Sequence, residues 1–593
     1  MKKTFHILSI AAVTAFALTM TGCKDFLTIY PTDKVVLEDF WKDKADVEGM
    51  VANSYKNLVS DAFVKRVFVY GELRSDDVVE TTNIGTDLKY INNANLLATN
   101  GYCDWSIYYK IINNCNIVLN FAPRVLEEDP DFSQGDLDVV RGEMLAMRAL
   151  CHFYLVRTFR DVPLLKEAKI DDSQDLHIKQ STPLEALDFI LDDLKEAESL
   201  VLPSGSYNKE IYNKGRFTKD AVRAIRADVL LWKAAFTQFK NKSDGADCYD
   251  FYTECIDYCE KIIEDRKQYL IDWRKKNNVG LEEEQKDKDA LVSSYPLEYH
   301  PTNMATASSH DETYVKIFTD KNNRKESILE LQLDEDNNHN YAICAFYGYE
   351  SKQTSQPFMA SPYLGKKGSD ENCLYRDKSD IRRASFTDQN GPEQDVFPIA
   401  KYTTRSTRVG SNSTTADGGQ AEYFNTNTDG GTHYYWQNVI LYRITDVMLM
   451  EAEARAYRAD SIKNDLPEAF KLVKAVYYRS NKGGKGVGAR DSISVSMNPA
   501  NVQDAVYKER QRELCFEGKR WFDLVRMALH DGTTNNMLNI MVPHKYESNQ
   551  SAIKSKMASI DALFFPIAES VLKTDTMLVQ NPVYEKIDVI SKN

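Results

Sequence analysis

The chain has 593 residues, 43% of them hydrophobic and 27% charged, and a formal net charge of −14. That balance argues against nucleic acid and against attraction to anionic membranes, since both call for a basic surface. The length allows several domains or one large intertwined one. The 33 tyrosines, against 6 tryptophans, supply many rings with a polar edge.

At the start, Lys2 and Lys3 precede an apolar run from Ile7 to Met20 and then Thr21-Gly22-Cys23. This order predicts a secretory leader over 1–22. The run is shorter than the ~20 residues a bilayer span needs. A cysteine directly after glycine at the end of such a run resembles a bacterial lipobox, so Cys23 is the expected lipidation site. Residues 23–36, with Pro31 and no period, read as a tether. No later stretch is long and apolar enough to span, so the body is expected to be anchored to a membrane without crossing it.

Leu37 to Leu58 is the first expected helix, with Asp43 placed to cap the part from Ala45. Trp105 to Phe121 puts Tyr108, Ile111, Ile112, Cys115 and Leu119 on one face. Leu137 to Phe159 is amphipathic and is stopped by Asp161-Val162-Pro163. Ser181 and Thr182 before Pro183 mark the start of a helix running to Leu200. Thr218 to Phe239 carries Ala221, Ala224 and Ala227, which let a neighbour come close. Tyr252 to Glu264, Asp446 to Ala459 and Leu466 to Tyr478 complete the set. Helices in pairs read as hairpins near the tetratricopeptide pattern, over about 37–265 and 440–530. Such units need neighbours to bury their faces, so the 446–478 pair is expected against the early helices. Residues 37–593 then form a single domain, ending in a tail over 531–593.

Between about 266 and 439 the period fades, and Gly, Asn, Ser, Thr and Asp accumulate, most densely from Thr403 to Thr432. Ser327–Leu333 and Phe397–Tyr402 are short strand candidates. A long loop segment in a compact domain is usually functional. Its aromatics, among them Tyr347, Tyr349, Tyr363, Tyr435 and Trp436, suit stacking on sugar rings. Equally, such rings pin long loops to a scaffold.

Several chemistries find no support. Cys255 and Cys259 stand one helical turn apart with no further ligand nearby, and read as buried thiols rather than a metal site. Asp334 to His339 starts like a calcium loop but lacks the sixth-position glycine and the closing glutamate. The run from Gly483 to Gly488 is no phosphate loop and reads as a linker. His152, inside a helix, reads as a core residue. No cofactor, metal or catalytic motif is expected.

The end of the chain is the most informative stretch. From Glu509 to Met527, Leu514, Gly518, Trp521 and Val525 share one face of an expected helix, with Gly518 making room for a close neighbour. Glu513 and Glu517, one turn apart, admit a carboxylate-pair hydrolase. With Arg510, Arg512 and Arg520 in reach, a structural ion-pair lattice is the stronger reading.

This run, ERQRELCFEGKRWFDLVRM, resembles the C-terminal signature of the SusD/RagB family of outer-membrane lipoproteins. Other motifs occur in the family's order: Cys23 to Leu27 with Pro31; Glu143 to Ala149 with Phe153, Tyr154 and Asp161-Val162-Pro163; Arg216-Phe217-Thr218; Tyr442 to Ala454; Phe565-Pro566-Ile567; and Gln580-Asn581-Pro582. Arg160 stands where the family usually has glycine, and Ala568 where it has a second proline. The resemblance implies a mainly α fold with tetratricopeptide-like hairpins plus an irregular loop-rich lobe with a few short strands. It further implies cell-surface, non-catalytic glycan binding, lipid-anchored in the outer membrane, and delivery to a TonB-dependent, SusC-like β-barrel transporter. Some members bind peptides, and a surface glycoside hydrolase is the other alternative. The implied ligand residues are Asp76, Asp77, Tyr102, Trp105, Tyr347, Tyr349, Tyr435 and Trp436.

Overall fold

A computed structural model describes residues 40–585 apart from 171–173, 176, 243–245, 279–289, 300–311, 320–322, 334–339, 341, 348–356, 365–372, 376–379, 388–398, 400, 403–426, 430–431, 435–436 and 482–492. The leader, Cys23, the tether, the calcium-like run and the glycine-rich run therefore lie outside the described residues.

Two helices begin at the caps expected for them, Asp43 and Thr182. In α1 (Lys44–Leu58) the Asp43 carboxylate accepts from Asp46 N–H, and the Asp46 carboxylate accepts in return from Asp43 N–H. Next come α2 (Asp61–Gly71), β1 (Val78–Glu80), α3 (Thr86–Asn92) and α4 (Ser106–Glu128). The reciprocal cap recurs at Ser133/Asp136 for α5 (Gln134–Phe159) and at Thr182/Glu185, with Pro183 in the first turn, for α6 (Pro183–Leu200). Then follow α7 (Lys219–Asn241), α8 (Tyr249–Asn277), β2 (Ser327–Leu331), β3 (Phe358–Ala360) and β4 (Val439–Arg443). The last long helices are α9 (Ile444–Arg458), α10 (Asp465–Ser480), α11 (Pro499–Leu514) and α12 (Arg520–Asp531).

Each long helix packs on its neighbour in sequence: α4 on α5, α5 on α6, α6 on α7, α7 on α8 and α9 on α10. Crucially, α9 also packs on α8 and α12 on α7, which brings the late helices onto the early ones. No helix among the described residues is long and apolar enough to cross a membrane. Cys255 and Cys259 lie buried in α8, where burial and the neighbouring Cys255 raise the Cys259 pKa. His152 is buried, its Nδ1 is 3.1 Å from Arg148 O, and burial beside Arg148 pushes its pKa down to about 3.

Two local findings come from positive φ. Arg160, in the position where the resembling motif carries glycine, ends α5 at φ 71°, a conformation costly for a residue with a Cβ. Its guanidinium pairs with Asp161 and Asp561, which holds the exit in place. The single helix expected over 509–527 is in fact two. Residues 515–519 form a left-handed break, with Phe516 at φ 66° and Gly518 at φ 71°. A Cβ on Gly518 would sit 2.7 Å from Val67 O, and one on Gly71 only 1.8 Å from Gly518 O. The glycine thus serves close approach to α2, through a turn rather than a helix face. Donors close the break: Phe516 N and Gly518 N each donate to Glu72 at 3.0 Å, and Lys401 Nζ donates to the carbonyls of Glu513 and Cys515 at 2.8 Å.

The strand expected over 327–333 forms as β2 and pairs antiparallel with β4, fully buried. Of Phe397–Tyr402, the described residues give only an isolated bridge from Ile399 to Thr387, followed by a turn. What joins the irregular segment to the helices is a buried ionic lattice. Arg382 meets Glu509 at 2.6 Å, Asp380 at 2.8 Å and Glu513 at 3.1 Å. Arg443 meets Glu513 and Glu517 at 2.7 Å each, and Lys401 meets Glu517 at 2.6 Å. Arg479 closes it between Glu326 and Glu513. Burial opposes the Glu513 charge, yet Arg479, Arg443 and Arg382 overcome it and hold this carboxyl far below the usual range. Glu513 and Glu517 are lattice members as expected, but with Arg382, Arg443, Arg479 and Lys401 as partners. Arg510, Arg512 and Arg520 of their own stretch pair instead with Asp446 and Asp523, with Glu509 and with Asp76.

Candidate functional site

Asp76 and Asp77 follow α2, in the loop where ligand contact was expected, but both are fully buried. Arg520 donates to both Asp76 oxygens, at 2.8 and 3.1 Å. Burial disfavours the Asp76 charge, and Arg520 with His544 more than offsets it, so its pKa is lowered. Asp77 accepts from Gln511 Nε2 at 2.7 Å, and burial plus the Asp76 charge raises it to about 6. Both expectations are corrected: neither carboxylate reaches the surface, because the loop must satisfy buried arginine and amide donors on α11 and α12.

Trp105 is 5% exposed and packs edge-on against Phe159 and Tyr109, so it belongs to the core. Tyr347 is 3% exposed, between Phe68 and Phe516. Its ring does what most described rings of this segment do, pinning loop to scaffold: Tyr314 bonds Glu513 and Ser480, and Tyr375 bonds Arg512 O. Tyr102 is half-buried, with Arg66 over its ring at 5.7 Å. Tyr349, Tyr435 and Trp436 lie outside the described residues.

The described residues do bring together an aromatic and polar strip directly above Asp76. Its frame is the antiparallel pair β1–β3, with Val78 opposite Ala360 and Glu80 opposite Phe358. At one end Tyr363 and His544 stack in parallel, ring centroids 3.6 Å apart. At the other, Tyr546, 40% exposed, donates its hydroxyl to Glu80 O at 2.9 Å. Between them Asn93 Nδ2 donates to Glu80 Oε2, and Asn549 Nδ2 to Asn93 Oδ1, both at 2.8 Å. Each of these amides keeps a second N–H for another acceptor.

Beneath, Lys545 Nζ donates to Val78 O and Asn92 Oδ1, locking the 542–546 segment onto β1. Burial lowers its pKa to about 8, against the pull of Asp76 and Asp77. Tyr363, His544, Tyr546, Asn93, Asn549 and Glu80 suit a ring-shaped polyol: faces to stack on, amides and a carboxylate for hydroxyls. Apart from Tyr363, none stood out in the sequence. The one local hint was the aromatic-polar run His544-Lys545-Tyr546 after Pro543.

A family model described as the SusD family matches residues 274–584, and one described as "Starch-binding associating with outer membrane" matches 26–231. The chain belongs to the SusD family. SusD-like protein P38 of Formosa agariphila is 22% identical over 553 residues, 91% of this chain and 94% of that protein. A SusD homolog from Bacteroides thetaiotaomicron superposes with a TM-score of 0.66 at 16% identity, covering 92% of this chain and 98% of that one. B. fragilis NanU does so with a TM-score of 0.61 at 17% identity, covering 94% and 100%. The mainly helical architecture with few short strands is the SusD-like fold.

Proposed function

We propose that this protein is a lipid-anchored, cell-surface, non-catalytic glycan-binding component of nutrient uptake, which passes oligosaccharides to a TonB-dependent β-barrel transporter. The observation that carries the reading is membership of the SusD family along most of the chain, including the starch-binding, outer-membrane model at its N-terminal end. The leader and Cys23 agree with lipid anchoring. The strip from Tyr363–His544 to Tyr546 supplies the surface, and Tyr349, Tyr435 and Trp436 stay as candidate contributors from the irregular segment. Burial of Glu513 and Glu517 in the lattice speaks for binding over hydrolysis.

The test is calorimetric titration of the protein with maltoheptaose and with fragments of β-glucan, xylan, mannan and alginate, beside a mixed peptide control. Saturable binding of one glycan class, weakened about tenfold or more by Tyr363→Ala or Tyr546→Ala, is expected. Binding of peptides alone, or release of shortened products, overturns the reading. Co-purification of a stoichiometric β-barrel from gently solubilised outer membranes tests the transporter partnership.

A further inference from the structure

Glu80 is the carboxylate of the strip, and two asparagines fix how it is presented. Asn92 Nδ2 at 3.3 Å and Asn93 Nδ2 at 2.8 Å both donate to one of its oxygens, Oε2. Among the described residues Oε1 receives no donor, so its acceptor capacity is open to a ligand. Beside it stands Tyr546, 40% exposed and held by the bond from its hydroxyl to Glu80 O. A carboxylate next to an exposed aromatic ring suits an ammonium group. The oxygen accepts charge-assisted hydrogen bonds from it, and the ring face attracts its positive charge.

The charged groups around the strip favour the same sign. The carboxylates of Asp76, Asp77, Glu80 and Glu72 all act on the ammonium of Lys545. Lys545 Nζ nevertheless donates to Val78 O and Asn92 Oδ1, and so leaves Glu80 to others. Arg520 is bound twice to Asp76. Lys401, near Glu72, is bound to Glu517, and Arg512, near Tyr363, to Glu509. On the outer side Lys556 Nζ donates to Asn95 Oδ1 at 2.9 Å. Lys545 and Arg520 thus face four carboxylates, a field that favours an added positive charge over a negative one.

We infer that the ligand of this strip is an amino sugar, whose protonated amine is held by Glu80 Oε1 and the Tyr546 ring. The second N–H groups of Asn93 and Asn549 take neighbouring hydroxyl oxygens. Glu80 is then the residue that sets specificity among sugars that differ in carrying a hydroxyl, an acetamide or an amine. The inference rests on the glycan-binding reading above and narrows it to one class.

The experiment compares three β-1,4-linked hexasaccharides that differ at one carbon of each ring. Cellohexaose carries a hydroxyl there, the fully acetylated chitin hexamer an acetamide and the chitosan hexamer an amine. The full chain is titrated calorimetrically at about pH 6, where amines are protonated, with tetralysine as a cation that carries no sugar. The chitosan hexamer should bind about tenfold or more tighter than cellohexaose, and ~1 M salt should shrink that ratio. Glu80→Gln, which keeps an acceptor for Asn92 and Asn93, should abolish the preference. Tyr546→Leu should reduce it about threefold without reversing it. Equal or weaker binding of the chitosan hexamer, or a preference that survives both salt and Glu80→Gln, overturns the inference while glycan binding stands. So does saturation by another glycan of the panel with none of the three hexamers bound. Binding of tetralysine in place of sugar overturns it as well and assigns the strip to cationic peptides. No binding of any glycan removes both this inference and the reading it rests on.

Discussion

The helical scaffold and the irregular segment bury charge in different ways. On the scaffold, arginines are satisfied largely by other scaffold residues: Arg458 by Asp465, Arg510 by Asp446 and Asp523, and Arg526 by Glu453 and Asp523. These pairs sit among helices already joined by apolar packing. In the irregular segment, Glu326, Arg382 and Lys401 look instead to Glu509, Glu513, Glu517, Arg443 and Arg479 on the scaffold side. Among the described residues this segment is tied to the scaffold by the β2–β4 and β1–β3 pairs, by buried tyrosines and by these ionic points. Such points are strong only while complete, because removing one partner strands a buried charge.

The sharpest way to break this contrast is at Glu513, which three buried arginines share. Glu513→Gln should cost about 3–5 kcal/mol in urea unfolding, with early proteolysis between 320 and 400. A loss under ~1 kcal/mol would mean that the segment is held by packing alone.

Next in size is Gly71→Ala. The added methyl meets the Gly518 backbone rather than a yielding side chain, so about 1–3 kcal/mol should be lost at the contact of α2 with the break. Unchanged stability in thermal unfolding would contradict the closeness of that contact.

Beneath the strip the sign reverses. The Asp77 pKa is raised to about 6 by burial and by Asp76, so the folded state prefers the protonated form. That preference helps below the ordinary carboxylate pKa and is lost as pH rises through about 6. Asp77→Asn supplies a neutral isostere, and its amide can donate toward Glu72. It should stabilise the protein by about 1 kcal/mol at pH 8 and by little near pH 4, read from denaturation midpoints. Stabilisation that is equal at both, or larger at low pH, would refute the assignment.

The smallest effect belongs to the exposed Arg141–Glu196 pair between α5 and α6, at 2.7 Å with both side chains more than a third exposed. Arg141→Ala should change stability by less than ~0.5 kcal/mol, since water screens such pairs. A larger loss would show that surface pairs also matter on the scaffold.

The family was readable because its marks are local. Caps at Asp43 and Thr182 act within one turn, and apolar spacing over α4 and α7 reports burial directly. By contrast α5, expected to be amphipathic from Leu137, starts at a Ser133 cap and is buried on every face from Gly142 to Phe159. The same locality misled at 509–527, where the helical period continued across a left-handed break. Nothing in the run from Cys515 to Lys519 announces that α2 presses against it. The ligand residues suffered more. Asp76 and Asp77 look like exposed loop acids until Arg520 and Gln511, more than 400 positions away, are brought to them. His544 and Tyr546 carry no motif, and their value comes from lying on β1 beside Tyr363.

By itself, then, the sequence determined most of the long helices, the burial of acids and arginines together near the end of the chain, and the family. It missed α2 and α3, began the first helix seven residues early and ended α8 thirteen residues early. Caps, apolar periods and motifs depend on neighbours within one or two turns, whereas Glu513 and Glu517 find their partners in Arg382, Lys401, Arg443 and Arg479. Only the tertiary structure decided which carboxylates are buried, where the chain turns left-handed and which rings face outward. Burial and ring stacking are relations between segments distant in sequence, and no spacing along the chain encodes them.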